Sequence, residues 1–253
     1  MKKDIEMAMI EAIDLTKRYE NGLLALDVLN LRVKAGEIYC LLGANGAGKT
    51  TAINIFLNFI EPTSGRAYIM GVDVARNPIE AKRYVSYVSE NIMLYANLTA
   101  RQNLDFFARL GGRRGLKKSD YNMILREVGL EERAFEQRMK DLSKGMRQKV
   151  AIAIAITRDT PVIMLDEPTS GLDPKAGAEF IELMEELRLR GKAVLISTHD
   201  VFHAKEIADR VGIMKEGRNV MECTSEELEL EDLEDLYLDY MRGGLNTENR
   251  SWR

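Results

Sequence analysis

Short apolar runs alternate with turn residues along the first third of the chain. Residues 7–15, 29–33 and 67–70 have the composition of strands, punctuated by Asn21-Gly22, Ala35-Gly36 and Ser64-Gly65. Between them, residues 37–42 form an apolar run that ends in a glycine-rich turn. Residues 50–60 then place apolar side chains at helical spacing as far as Pro62. The middle, from about residue 94 to 157, reads as mainly helical. Leu104, Phe107 and Leu110 recur at helical spacing, Gly111-Gly112 breaks the pattern, and 121–128 and 145–157 are two further helices. Strand and helix then alternate again. Residues 162–165 are a buried strand, and 176–190 a helix with Phe180, Leu183, Met184 and Leu187 facing inward. Residues 194–197 are a strand and 201–210 a helix. Residues 211–214 and 220–223 are placed to close as a hairpin around Glu216-Gly217. Such alternation argues an α/β fold with a parallel sheet covered on both faces. From Thr224 the chain turns acidic, with a helical Leu/Tyr pattern through Met241. The stretch from Gly243 is expected to be loose.

A chain of 253 residues, 45% hydrophobic and 30% charged, supports one domain with subdomains around a sizeable core. The net charge of -4 gives no reason to expect a nucleic-acid partner, whose phosphates call for a basic surface. Cys40 and Cys223 lie far apart without CxxC spacing, so neither a disulfide scaffold nor a zinc site is expected. Cys40, inside an apolar run, is expected to be a small buried residue, and the chain to be cytosolic. The first residues lack the apolar stretch of a signal peptide. No segment approaches the roughly 18 apolar residues of a membrane-spanning helix. Work at a membrane would go through a partner or from the water side.

Two motifs carry chemistry by themselves. Gly43, Ala44, Asn45, Gly46, Ala47, Gly48, Lys49 and Thr50 match G-x-x-x-x-G-K-[ST], between an apolar strand and a helix. Glycines let successive N–H groups turn toward phosphate oxygens, and the helix N-terminus adds its own free N–H groups and partial positive charge. Lys49 can reach the β- and γ-phosphates of a nucleotide, and Thr50 can offer its hydroxyl to Mg²⁺. The second motif is the apolar run 162–165 followed by Asp166, Glu167 and Pro168, a central strand ending at a ligand crevice. Asp166 can hold the metal through water, and Glu167 can polarise the water that attacks the γ-phosphate. Together the motifs define a P-loop NTPase using ATP and Mg²⁺.

Further residues narrow the class. Leu142, Ser143, Lys144, Gly145, Met146, Arg147 and Gln148 resemble the LSGGQ signature of ABC ATPases. Ser170-Gly171-Leu172-Asp173 resembles their D-loop, and Ser197-Thr198-His199 their switch histidine. Tyr19 resembles the aromatic residue that stacks on adenine. The resemblance covers about residues 7–222 and runs in the family's order. It implies an ABC ATPase fold: a RecA-like α/β core, an antiparallel β subdomain and an α-helical subdomain at about 92–157. The ATPase domain would span 1–222, with 223–253 as an acidic C-terminal extension. It implies ATP binding by Tyr19, by the P-loop from Gly43 through Thr51, and by Glu90. Lys49, Glu167 and His199 would be catalytic, and Thr50, Asp166 and Glu90 would hold the metal. Ser143, Lys144, Gly145 and Met146 would act on the ATP of a second ATPase subunit, beside Asp173 of the D-loop. Ser143 also suits an N-cap. His203 is expected to face solvent or a neighbour.

Two positions depart from the family pattern. The signature has Lys144 and Met146 where Gly and Gln are common. In Tyr87-Val88-Ser89-Glu90-Asn91, which matches the Q-loop region, Glu90 stands where glutamine is usual. Both oddities map to one composite site, so Lys144 of one chain is expected to offset Glu90 of the other. Both resemble ATPases serving ABC-2-type permeases, which favours export. The implied partners are a membrane permease on another chain, contacted through Met93, Leu94, Tyr95, Phe106 and Phe107, and a second ATPase subunit, a homodimer being favoured over a heterodimer. The implied location is the cytoplasmic face of the membrane. Two alternatives stand beside this. A soluble ABC ATPase acting on DNA or the ribosome is disfavoured by the single cassette and by the only about ninety residues between P-loop and signature. A non-hydrolysing scaffold is disfavoured by the presence of Lys49, Asp166, Glu167 and His199.

Overall fold

The computed structural model describes residues 7–230 together with Leu233 and Tyr237. Its centre is a six-stranded sheet. β3 (Ile38–Leu42) lies between β8 (Ala193–Thr198) and β9 (Arg210–Lys215), and β7 (Val162–Asp166) lies between β8 and β6 (Val85–Val88). These five strands are parallel. β10 (Arg218–Thr224) adds an antiparallel edge through the hairpin expected around Glu216-Gly217. β3, β7 and β8 are buried along their whole length, which is why they read as continuous apolar runs rather than alternating ones.

Alternation persists in which layer each side chain enters. Ile38, Cys40, Leu42, Ile163, Leu165, Val194 and Ile196 face one core, and Tyr39, Leu41, Met164 and Leu195 the other. The first core is closed by α3 (Ala100–Leu110), α4 (Lys118–Glu127), α5 (Lys144–Arg158), α6 (Pro174–Leu189) and α7 (Val201–Ile207). The second is closed by α1 (Lys49–Phe56) and a four-stranded antiparallel sheet in the order β2-β1-β4-β5. That sheet comprises β1 (Ile10–Arg18), β2 (Leu24–Val33), β4 (Ser64–Ile69) and β5 (Val72–Asp73). The parallel sheet with covered faces is thus as the alternation argued, and Cys40 is buried in its first core.

Several boundaries differ from the pattern. β2 begins at Leu24, not 29, because register shifts in the β1–β2 pair break the period-two alternation there. α1 stops at Phe56, and Asn58 then takes a left-handed φ of 50°. α7 ends at Ile207 because Ala208 is extended and Arg210 already pairs in β9. β5, β6 and the short α2 (Pro78–Ala81) are too brief to carry a readable period. In the acidic tail, α8 (Ser225–Leu230) forms, while the pattern onward to Met241 and the stretch from Gly243 fall almost wholly outside the described residues.

The helical layer is capped and tied down by specific groups. Thr99 and Gln102 form a reciprocal capping box at the start of α3. Lys149 of α5 pairs with Glu179 of α6, Arg190 with Glu127 at 2.7 Å, and Lys192 with Asp159 at 2.6 Å. Leu104 is fully buried at the centre of this layer, whereas Met123 of α4 is 62% exposed. Leu104→Ala should lower unfolding stability by about 3 kcal/mol. Met123→Ala should change it by no more than about 0.5 kcal/mol. Urea unfolding of both variants reads the difference.

Candidate functional site

The chemistry-bearing residues gather where β3, β7 and β8 end. The chain leaves β3 through Gly43, whose N–H donates to the Thr198 carbonyl at 3.1 Å. A side chain on Gly43 would collide with the Met214 carbonyl, and one on Gly48, at φ 108°, with that of Ala25. Both positions therefore need glycine. Ala44, Asn45 and Gly46 form the exposed arch, and Ala47 is buried beneath it. Gly48 starts α1 without a side-chain cap, so the first-turn N–H groups of Lys49, Thr50 and Thr51 are left for a ligand.

Lys49 is buried, at 5% exposure. Its ammonium donates to the carbonyls of Gly43 at 2.6 Å and Ala44 at 3.3 Å, and pairs with Glu167 Oε1 at 3.2 Å. Asp166, the last residue of β7, accepts from the Thr50 hydroxyl at 3.2 Å and from the Ser197 hydroxyl. Glu167 takes a left-handed φ of 49° just after the strand. Its N–H remains tied to the Ser197 carbonyl at 3.0 Å, while its carboxylate lies between Lys49 and His199. The His199 ring Nδ1 sits 2.7 Å from Glu167 Oε2, and the His199 N–H donates to the same oxygen at 3.3 Å. One buried carboxylate thus has a lysine on one oxygen and a histidine on the other.

Tyr87 and Ser197 are two participants to which the sequence reading gave no role. The Tyr87 hydroxyl lies beside Asp166, and burial, with the Asp166 charge alongside, pushes its phenol up to about 12, so it remains protonated at neutral pH. The available signal was pairing: once β6 is seen to run beside β7, Tyr87 falls within reach of the strand's last residue. Glu90 follows β6 on the exposed surface at the same edge, where its charge acts on Tyr87. Tyr19 is half-buried at the β1–β2 turn, with the Lys17 ammonium 5.3 Å from its ring centre. β2 passes directly under Gly48, which links that hairpin to the P-loop.

A second cluster stands apart. Ser143 caps α5 by accepting from the Met146 N–H at 3.2 Å. The Lys144 side chain lies over Gly171, Gly145 packs near Leu172, and Asp173 caps α6 by accepting from Ala176 N–H at 2.9 Å. Among the described residues, no hydrogen bond or ion pair joins Ser143, Lys144, Gly145 or Met146 to the P-loop, Asp166 or Glu167. His203 pairs with Asp200 at 2.6 Å and lies against Gly177 of α6, so it faces a neighbour.

The first cluster fits a phosphate ester with Mg²⁺. It offers a buried ammonium, a helix start with free N–H groups, and a hydroxyl beside a carboxylate. Two hard oxygen donors suit Mg²⁺, which takes few protein ligands and completes its shell with phosphate and water. Glu167 supplies a carboxylate able to accept a proton from water.

Comparison with known proteins agrees with this chemistry. The family model for the ABC transporter domain matches residues 26–170. YbhF of Escherichia coli, a probable multidrug ABC transporter ATP-binding protein, is 34% identical over 228 residues, covering 90% of this chain and 39% of that protein. The chain therefore spans about two fifths of that relative. The bacitracin transport ATP-binding protein BcrA of Bacillus licheniformis is 36% identical over 96% of this chain and 77% of its own length. Among solved structures, the ATP-binding subunit of an ABC transporter superposes with a TM-score of 0.80 at 32% identity, covering 92% of this chain and 99% of the other. The dimeric cassette MJ0796 gives 0.78 at 30% identity, over 86% and 99%. The chain belongs to the ABC transporter family, as an ATP-binding ATPase cassette. None of its described helices is long and apolar enough to cross a membrane.

The buried Lys49–Glu167 pair has a consequence for the nucleotide-free protein. Lys49→Met leaves Glu167 short of a counter-charge and should cost about 3 kcal/mol or more. Adding Glu167→Gln should recover much of the loss. Thermal unfolding of both single variants and the double variant, without nucleotide, should therefore be strongly non-additive.

Proposed function

We propose that the chain is the ATP-hydrolysing motor of an ABC exporter, working as one of two cassettes beneath a permease carried on another chain. The carrying observation is the convergence of Lys49, Thr50, Asp166, Glu167 and His199 at one edge of the parallel sheet. In this reading the P-loop from Gly43 through Thr51 holds the phosphates of ATP, and Tyr19 stacks on adenine. Lys49 exchanges Glu167 for the β- and γ-phosphates. Thr50 and Asp166, with Glu90 at the same edge, hold Mg²⁺, which supplies charge neutralisation at the transferring phosphoryl group. Glu167, freed from Lys49, takes the proton of the attacking water. His199 holds Glu167 in place and meets the γ-phosphate. Positioning and charge account for most of such a reaction, so few groups suffice.

Ser143, Lys144, Gly145 and Met146, with Asp173 beside them, serve the ATP of the second cassette. Their separation from their own P-loop supports this, as does the dimeric state of the related MJ0796 cassette. One chain with every motif favours a homodimer. Export is supported by relatives named for bacitracin transport, daunorubicin resistance and Nod factor export. The permease holds the cassette at the cytoplasmic face of the membrane, and nucleic acid has no part. A groove of about 510 Å³ between β6, α3 and α5 is where the permease docks. Met93, Leu94 and Phe107 line it, while Phe106 meets Phe107 edge to face with ring centres 5.3 Å apart and Tyr95 lies tilted 6.0 Å from it.

The decisive measurement is Mg²⁺-dependent ATP hydrolysis by the purified chain over a range of concentrations. Specific activity should rise with concentration, because each site needs two chains. Glu167→Gln should bind ATP while losing at least about a hundredfold in turnover. A Glu167→Gln variant that hydrolyses at the wild-type rate removes Glu167 as the base. For the Glu90 and Lys144 departures, a double-mutant cycle on Glu90→Gln and Lys144→Gly should show coupled effects on rate. Strict additivity would show that the two do not share a site.

A further inference from the structure

β8 is an apolar strand that ends in two hydroxyls. Ala193, Val194, Leu195 and Ile196 lead into Ser197 and Thr198, and all of them are buried. A hydroxyl shut away from water is unfavourable unless it finds a partner. Thr198 finds a local one: its hydroxyl accepts from the Asp200 N–H at 3.0 Å, at the turn into α7. Ser197, at 0% exposure, finds its partners on the neighbouring strand. The parallel register sets it directly opposite Asp166. Its hydroxyl donates to Asp166 Oδ1 and accepts from the Glu167 N–H at 3.3 Å. The Thr50 hydroxyl meets the same Oδ1 at 3.2 Å.

These contacts place Ser197 between the two carboxylates of the site. Asp166 and Glu167 are both buried, so protein groups rather than bulk water must hold them. Ser197 grips Asp166 by its side chain. It grips Glu167 by its backbone, where that residue leaves the strand with φ 49°. The Glu167 N–H also donates to the Ser197 carbonyl at 3.0 Å. From that fixed point the Asp166 side chain reaches Thr50, and the Glu167 side chain reaches Lys49 and His199. Mg²⁺ demands near-ideal geometry, so a carboxylate that serves it gains from a partner that fixes its rotation. Thr50 is itself a metal ligand in the motor reading. Ser197 is a hydrogen-bonding hydroxyl on Asp166 that stands outside the metal shell.

We propose that Ser197 is a positioning residue for Mg²⁺: it fixes the rotation of the Asp166 carboxylate and so sets how tightly the metal is held with ATP. This rests on the motor reading above, which assigns Asp166 to the metal, and adds a residue to it.

The test measures binding of a non-hydrolysable ATP analogue to the purified full chain by calorimetry, once with Mg²⁺ and once with a chelator in its place. In the chelator, binding depends on the P-loop and Lys49, and Ser197→Ala should match wild type. With Mg²⁺, Ser197→Ala should bind at least about tenfold more weakly than wild type. The Mg²⁺ concentration for half-maximal ATP hydrolysis should rise by a similar factor. Ser197→Cys keeps the size of the side chain but offers only a weak donor, so it should behave like Ser197→Ala. Ser197→Thr keeps the hydroxyl and should restore most of the Mg²⁺-dependent affinity. Because Ser197 acts through Asp166, adding Ser197→Ala to Asp166→Asn should cost nothing further. A merely structural role would weaken binding equally with and without Mg²⁺, and that result overturns the inference. So does a wild-type response to Mg²⁺ in both Ser197→Ala and Ser197→Cys. In either case, a lost Mg²⁺ response in Asp166→Asn leaves the motor reading standing. An Asp166→Asn chain with an unchanged Mg²⁺ response sinks the assignment of the metal to Asp166, and the inference with it.

Discussion

An ammonium inside a protein must be surrounded by acceptors, and much of this site follows from how Lys49 meets that demand. Its acceptors are two P-loop carbonyls and Glu167. The lysine opens α1 and the glutamate follows β7, so one ion pair joins the phosphate loop to the middle of the sheet. Glu167 in turn holds His199 at the end of β8. Three neighbouring strand ends are thereby locked into one charge network before any nucleotide is present. In the proposed motor the network is also exchangeable, because a phosphate would offer Lys49 another set of acceptors and leave Glu167 with His199.

The sheet makes this arrangement possible because parallel strands deliver their carboxyl ends to the same edge. Asp166 gathers hydroxyls from two different segments, Thr50 of α1 and Ser197 of β8, with Tyr87 of β6 alongside. No one of them is near it in sequence. The left-handed turn at Glu167 belongs to the same logic. It keeps the residue's N–H on the sheet while swinging its carboxylate off the strand axis toward the lysine, a costly conformation that the surrounding contacts hold in place.

The helical layer connects two distant surfaces. α5 carries Ser143 and Lys144 at its first turn and Arg158 at its last, about 22 Å apart along a continuous helix. In the proposed motor, the first end serves the ATP of a second cassette, and the other lines the groove proposed for the permease. Ion pairs tie α4, α5 and the segment after α5 to α6 and to the connection that leads from α6 into β8. A continuous helix joining those two ends would give the proposed motor a direct physical path between them. Whether a rotation of that element is small or large, both ends must move together.

The strongly periodic and fully buried segments were legible in the chain itself, because continuous apolar runs leave few options other than central strands. The P-loop, the Asp166–Glu167 strand end and the closing hairpin could be read directly, since each depends on local chemistry: glycine backbone freedom, apolar burial, a capping serine. The family resemblance added the signature, the D-loop and His199, whose roles no local rule dictates. The bulged β1–β2 pair, the short β5 and β6, and the early end of α7 were not legible, because register shifts and two- to four-residue strands carry no usable period. Tertiary structure alone decided that Ser197 and Thr50 share Asp166 with Tyr87 alongside, that Lys49 rests on Glu167, and that among the described residues no carboxylate pairs with Arg158. The physical reason is the same in each case. A sequence specifies which groups are polar, but which of them meet, and which is left unpaired, depends on strand order and on the packing of layers far apart along the chain.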